Sequence, residues 1–339
     1  MTYTSTFLIS FLISVFLTPV FRLIAIKFKI LDHPVSEIKT HKEPTPYLGG
    51  LAIACSFFIT LLLVRLTTNF PTGTLRSLRG IILGSIIILL IGLIDDLKYK
   101  GIHFTIKFLG EIIAAFVAIF YNIRIEFIKP EWFSIVLTLI WIVGITNAVN
   151  LIDVIDGLSS GVCIIACLGF YFILGFIEEE IYVSYAVISL AAALLGFMPY
   201  NLSKKFKIFM GDTGALFTGF VLSTVALGAK YSSNNILGVL SPIVVLLIPI
   251  YETFFISILR LNRGQSPFLG SKDHFALRLE TIGIRRNKIL LITYLVGILF
   301  SISSVLIVAS QNIFIPVVIL LIISIFIISI TKFLTKINI

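Results

Sequence analysis

The sequence predicts an all-α, polytopic integral membrane protein, and three observations lead there. The 339-residue chain is 58% hydrophobic with a mean hydropathy of +1.10, which leaves too little polar surface to cover a soluble domain of this size. Only 13% of its residues are charged. Apolar runs of about 20 residues, the length at which a helix crosses the hydrocarbon of a bilayer, recur from end to end. The net charge of +9 fits cytoplasmic loops rather than nucleic acid, which is not expected as a partner. Cys55, Cys163 and Cys167 all fall inside apolar stretches and read as small buried hydrophobes, not as disulfides or metal ligands. The first apolar run follows no basic n-region and precedes no small-residue cleavage site, so it reads as a retained span.

On the 20-residue rule, spans are expected near 5–24, 48–66, 79–95, 106–121, 133–149 and 160–177. Five more follow near 181–199, 213–229, 236–259, 289–310 and 312–331, which makes about eleven. Gln311 and Asn312 separate the last two. Twenty of the 26 lysines and arginines fall in the loops after odd-numbered spans and in the C-terminal tail, and six fall on the other side. The positive-inside rule then places the N-terminus outside and the C-terminus in the cytoplasm. All seven aspartates and all four histidines share the inner side. That rule says little about acids, so their partition points to a single reactive face. A multi-pass protein of the cytoplasmic membrane is expected, residues 1–339 forming one transmembrane domain. Its site would lie in inner loops near 25–47, 95–107, 147–161, 200–214 and 260–288.

The first inner loop carries Asp32, His33 and Pro34, then KTHKEPTPYLGG from Lys39, in which prolines and a glycine pair stiffen the chain and permit close backbone approach. The second opens with GLIDDLKYKG, where Asp95 and Asp96 end a helix and Lys107 follows. A helix C-terminus is the wrong dipole end for acids, which favours a functional reading over a solvated terminus. Third comes NAVNLIDVIDGLSSG. Asn147, Asn150, Asp153 and Asp156 recur every third residue with no cation among them, and such acids at a hydrocarbon border are costly unless something cationic needs them. Three-residue steps drift across roughly 120° of a helix face, so Asn150 and Asp153 form the inward pair and a turn is expected before Asp156. The fourth is KIFMGDTGALFTGF, whose glycines flank Asp212 at a helix N-terminus able to offer N–H groups to a phosphate. The last, RLNRGQSPFLGSKDHFALRLETIG, holds Arg263, His274 and Arg278. Phe275, Leu277 and Leu279 could lie along the interface there as an amphipathic segment. Glu111 and Glu252 lie inside spans and are suspects for that reason.

In order and spacing, NAVNLIDVIDGLSSG, GLIDDLKYKG with Lys107, FMGDTGA, SPFLGSKDHFALRL and THKEPTPYLGG resemble the polyprenyl-phosphate N-acetylhexosamine-1-phosphate transferases of glycosyltransferase family 4. The likeness covers nearly the whole chain. It implies transfer of a sugar 1-phosphate from a UDP-sugar to a polyprenyl phosphate such as undecaprenyl phosphate, with release of UMP. It implies magnesium as cofactor, with manganese as an alternative. The first-loop pattern is closer to the N-acetylglucosamine branch than to the muramoyl-pentapeptide branch, which stays as the alternative. By resemblance Asn150 and Asp212 would be metal ligands. Asp95, Asp96, Asp153 and Asp156 would be the catalytic carboxylates. Lys39, His41, Lys107, Asn147, His274 and Arg278 would bind substrate. The partners implied are the UDP-sugar donor, the polyprenyl phosphate acceptor and the lipid bilayer, with a homodimer left open. Val154 stands where the family usually has glycine, Glu111 for a common glutamine and Glu252 for a common aspartate. Ala276 and Leu277 stand at two histidine positions. A cation- or proton-coupled transporter is the rival from another class, but its ionisable groups would sit near the midplane.

Overall fold

The computed structural model describes residues 1–33, 43–68, 74–98, 101–266 and 272–337. Among them run thirteen α-helices. The first eight are α1 (Tyr3–Lys27), α2 (Gly49–Thr67), α3 (Thr74–Leu97), α4 (Phe104–Phe120), α5 (Glu131–Leu151), α6 (Leu158–Phe176), α7 (Ile181–Asn201) and α8 (Gly211–Val225). A short 3-10 turn, Ile236–Leu240, leads into α9 (Ser241–Val245) and α10 (Leu247–Asn262), followed by α11 (Phe275–Thr281), α12 (Arg286–Ala309) and α13 (Phe314–Thr335). This is an all-α polytopic membrane protein.

Eight helices are long and apolar enough to cross a bilayer: α1, α2, α3, α5, α6, α7, α12 and α13. A ninth span forms if Ile236–Val245 and α10 count together across a 70° bend. The expected span over 236–259 is therefore broken, and the reason is local. The helix is interrupted at Leu246, and Pro249 has no N–H to return to the Val245 carbonyl. The other two expected spans exist as α4 and α8 but have only 17 and 15 residues. At 1.5 Å per residue they rise about 25 and 22 Å, short of the ~30 Å hydrocarbon.

Helix α8 is nonetheless the interior of the molecule, buried from Thr213 to Val225 against α2, α3 and α5. Small residues let the backbones meet. A Cβ on Gly50 would stand 2.2 Å from the Gly214 nitrogen, and one on Gly92 2.6 Å from the Thr213 Cα. Such close approach is how helices associate where no hydrophobic force acts between them. Helix α1 uses small polar residues in the same way. Thr6, Ser10, Ser14 and Thr18 form its buried stripe. Ser10 Oγ donates to the Ser189 carbonyl at 2.7 Å and Ser14 Oγ to the Ala193 carbonyl at 2.6 Å on α7.

Hydrophobic side chains gather in two clusters, one around α2, α3 and α5 to α8, the other around α10 to α13 with the turn after α5. Phe275 belongs to the second cluster, and Leu277 and Leu279 pack against it. The expected interfacial segment is thus a short helix, α11, packed onto α12 and α13. Val154 also packs against this cluster. Cys163 and Cys167 are buried, Cys55 is half-buried, and all three are free.

Candidate active site

Four helix ends and one loop build the site. Strand β1 (Leu31–Asp32) pairs antiparallel with β2 (Thr45–Pro46), placing Asp32 opposite Thr45. The chain then lies along the loop before α8: the Phe209 N–H donates to the Pro46 carbonyl at 2.8 Å, and the Gly49 and Gly50 N–H groups donate to the carbonyls of Phe209 and Met210 at 3.0 and 2.9 Å. The TPYLGG and FMGDTG motifs are therefore one backbone unit.

Asp96 shows why two acids stand at the end of α3. Its carboxylate accepts from the Asp212 N–H at 2.9 Å, the Thr213 N–H at 3.0 Å and Thr213 Oγ1 at 2.6 Å. The acid is misplaced for the dipole of its own helix and well placed for the N-terminus of α8. Gly211 permits the contact: its φ is +69, and a Cβ would stand 2.3 Å from an Asp96 oxygen. The expectation that this N-terminus receives a substrate phosphate is overturned for these two donors, because Asp96 already occupies them.

Asp95 faces the other way. Oδ1 accepts from the Ile102 N–H at 2.8 Å, and Oδ2 lies 3.2 Å from Lys107 Nζ on α4. The same ammonium is in close contact with Asp212 Oδ2. From α5, Asn150 Nδ2 donates to Asp212 Oδ1 at 3.1 Å. Asp95, Asp96 and Asp212 each offer an oxygen within 4.8 Å of the others, the one such group of cation-binding side chains among the described residues. The donor set suits a hard divalent cation: two carboxylates with open lone pairs, plus the Asn150 amide oxygen, which accepts nothing here. Asp96 is the poorest ligand of the group, since three hydrogen bonds already fall on its two oxygens.

Helix α5 ends at Leu151, so Asp153 lies in the turn together with Asp156 and is not on the helix face shared by Asn147 and Asn150. Burial, and then the charges of Asp156 and Asp212, push the Asp153 carboxyl up to about 7. Asp156 pairs with Lys207 at 2.7 Å. The turn is clamped at Gly157, whose N–H donates to Asn201 Oδ1 at 2.7 Å and whose carbonyl accepts from Tyr294 Oη at 2.6 Å.

The remaining expected residues are more scattered. Asn147 lies one turn inward and donates to Glu111 Oε2 and to the Val143 carbonyl. His274 Nδ1 lies 3.0 Å from Glu252 Oε1, and the Glu252 carboxylate also accepts from the Phe275 N–H at 3.1 and 3.3 Å. Arg278 is 1% exposed. Its guanidinium donates to Asp273 Oδ1 at 2.6 Å and to the carbonyls of Asp273, Leu334 and Ile337, so it faces the protein and not a substrate. Lys39 and His41 lie outside the described residues. Sequence reasoning passed over Tyr47, whose phenol is pushed up by burial and by its hydrogen bond to Asp32, and which feels the Asp96 and Asp212 charges as well. Its signal was its place between TP and the glycine pair.

A family model described as Glycosyl transferase family 4 matches residues 78–230, a segment that includes Asp95, Lys107, Asn150 and Asp212. The chain is 33% identical over 329 residues to the probable undecaprenyl-phosphate N-acetylglucosaminyl 1-phosphate transferase of Bacillus subtilis (strain 168), an overlap of 94% of this chain and 88% of that one. It is 33% identical over 322 residues to the decaprenyl-phosphate N-acetylglucosaminephosphotransferase of Mycolicibacterium smegmatis, covering 85% of this chain and 78% of that one. A phospho-N-acetylmuramoyl-pentapeptide-transferase of Listeria innocua is 30% identical over 248 residues, 66% of this chain and 74% of that one.

Proposed function

The chain belongs to glycosyl transferase family 4, the polyprenyl-phosphate N-acetylhexosamine-1-phosphate transferases, and from that premise we infer its reaction. It transfers N-acetylglucosamine 1-phosphate from UDP-N-acetylglucosamine to undecaprenyl or another polyprenyl phosphate and releases UMP. The longer overlap with the N-acetylglucosamine enzymes favours this donor over the muramoyl-pentapeptide one. The observation that carries the reading is the meeting of Asp95, Lys107, Asn150 and Asp212 from four different helices at one point.

Both reactants are anionic, so charge repulsion is the first barrier. Asp212, Asp95 and the Asn150 amide oxygen would hold magnesium or manganese, which when bound offsets phosphate charge and stabilises departing UMP. Lys107 supplies a positive charge near the transferred phosphoryl group. Asp95 orients the acceptor phosphate or takes its proton, as the acceptor oxygen attacks the β-phosphorus of the donor. Asp96 acts from behind by fixing the start of α8 and hence Asp212. Asp153 and Asp156, in the clamped turn, position the nucleotide. His274, steadied by Glu252, binds donor pyrophosphate, and Lys39 and His41 contribute from the first loop. The loop charges support a site facing the cytoplasm from the cytoplasmic membrane. The acceptor's tail stays in the bilayer while its phosphate meets a soluble donor.

The test is UMP release by purified protein given polyprenyl phosphate and, in parallel, UDP-N-acetylglucosamine or UDP-muramoyl-pentapeptide. Activity is expected with the first donor and abolished in Asp212→Ala. Full activity of that variant after chelation would refute the metal assignment, and donor uptake into proteoliposomes without UMP would favour a transporter.

A further inference from the structure

Glu111 is the buried acid that the reaction above leaves unused. Its side chain is 1% exposed; Oε2 accepts from the Asn147 amide, and Oε1 has no hydrogen-bond partner. A buried carboxylate oxygen left without a donor is costly, so one with no visible occupant calls for an explanation. The cation that acts on it electrostatically is Lys107. Lys107 lies four residues earlier on α4, on the same face and one turn away.

Lys107 meanwhile rests on Asp95 and Asp212. These are the carboxylates assigned above to the divalent ion, and the present inference rests on that assignment. An ammonium and a divalent cation repel one another across a shared pair of carboxylate oxygens, so the lysine must yield when the ion arrives. Its four-carbon stem is free to swing. We propose that Glu111 Oε1 is the second seat of the Lys107 ammonium, taken when a divalent cation occupies Asp95 and Asp212. A lysine placed before its glutamate at this spacing forms the weaker of the two helical pairings. The first seat therefore wins without metal, which is the arrangement observed. The second seat keeps a positive charge one helical turn from the phosphates without competing for metal ligands.

The experiment is Mn2+ binding, followed by electron paramagnetic resonance on detergent-purified protein without substrates. Wild type, Glu111→Gln, Lys107→Met and the double variant are compared. Glu111→Gln should bind Mn2+ about tenfold more weakly, a factor that corresponds to one lost charge pairing in a partly buried site. Lys107→Met should bind more tightly than wild type, and adding Glu111→Gln to it should change nothing. Equal affinity of Glu111→Gln and wild type would overturn the proposal, as would a Glu111→Gln effect that persists without the lysine. Glu111→Asp, which keeps the charge on a shorter stem, should recover part of the affinity and so excludes misfolding as the cause. Absence of a saturable Mn2+ site in wild type would instead remove the metal assignment itself, and this inference with it.

Discussion

The Asp96 carboxylate receives two backbone N–H groups and one hydroxyl from the first turn of α8, while Asp95, its neighbour in sequence, receives an ammonium. The two acids should therefore fail differently. Asp96→Asn removes a charge from a helix N-terminus and sets an amide against N–H donors, a loss of about 2 kcal/mol. The melting temperature in detergent should fall by several degrees with or without metal. Asp95→Asn should leave the melting temperature nearly unchanged and lower UMP release by more than about a hundredfold, as expected when an acid–base or metal-binding group is removed. Equal melting temperatures for wild type and Asp96→Asn would refute the capping role. Asp153 makes a pH prediction. Its folded-state value is raised to about 7 from an unfolded value near 4. The folded state therefore holds the extra proton between those values, and stability declines as pH rises towards 7. In metal-free protein, wild type should lose melting temperature relative to Asp153→Asn between pH 5 and 7.5. Parallel curves would contradict the burial of its charge. The sequence supplied the identities of these residues but not which way each faces, because the donors that Asp96 satisfies lie 116 and 117 residues away.

At the scale of the elements, Arg278 joins three parts of the chain: the loop at Asp273, the Phe255 ring of α10 at 5.6 Å, and the end of α13 through the Leu334 and Ile337 carbonyls. Removing one partner of a buried ion pair costs about 3–5 kcal/mol. Arg278→Ala should accordingly destabilise the protein severely, and thermal unfolding measures it. Arg278→Lys keeps the charge but not the fork, and should raise KM for the donor more than it lowers kcat by loosening the loop that carries His274. A substitution with no effect on stability would return Arg278 to the substrate-binding set. Nearly every helix was legible as an apolar run, since the bilayer demands a continuous one. What could not be read was length at the site. Helix α8 is buried through its last residue and ends inside the protein, so the hydrophobic-length rule overran its C-terminus by four residues, from Val225 to the expected end at 229. The break at Leu246 was hidden because the residues on both sides are equally apolar.

For the whole molecule, the charge partition predicts a topology. If the inner face carries the site, cysteines introduced at Lys205 and at Glu179 should differ in cells. The first should react with a membrane-impermeant thiol reagent only after the membrane is opened, and the second before. The reverse pattern would turn the protein over and place the site outside. The five motifs were legible as a set because each holds residue types that hydrocarbon does not tolerate without reason. The close meeting of three of them was not, since it depends on glycines at 50, 92 and 214 that let α2, α3 and α8 approach one another.

The serine stripe of α1 bears on how the protein is made. The acceptors of Ser10 and Ser14 lie 179 residues further along the chain. At ribosomal speeds of about 5–20 residues per second, that is a wait of roughly 10–35 s. Until α7 enters the bilayer, the Ser14 hydroxyl can bond only to a carbonyl one turn back in its own helix, and Ser10 can in addition meet only Ser56 of α2. The first helix to be synthesised can thus settle against α2 early, but its buried hydrogen bonds are complete only when the seventh arrives.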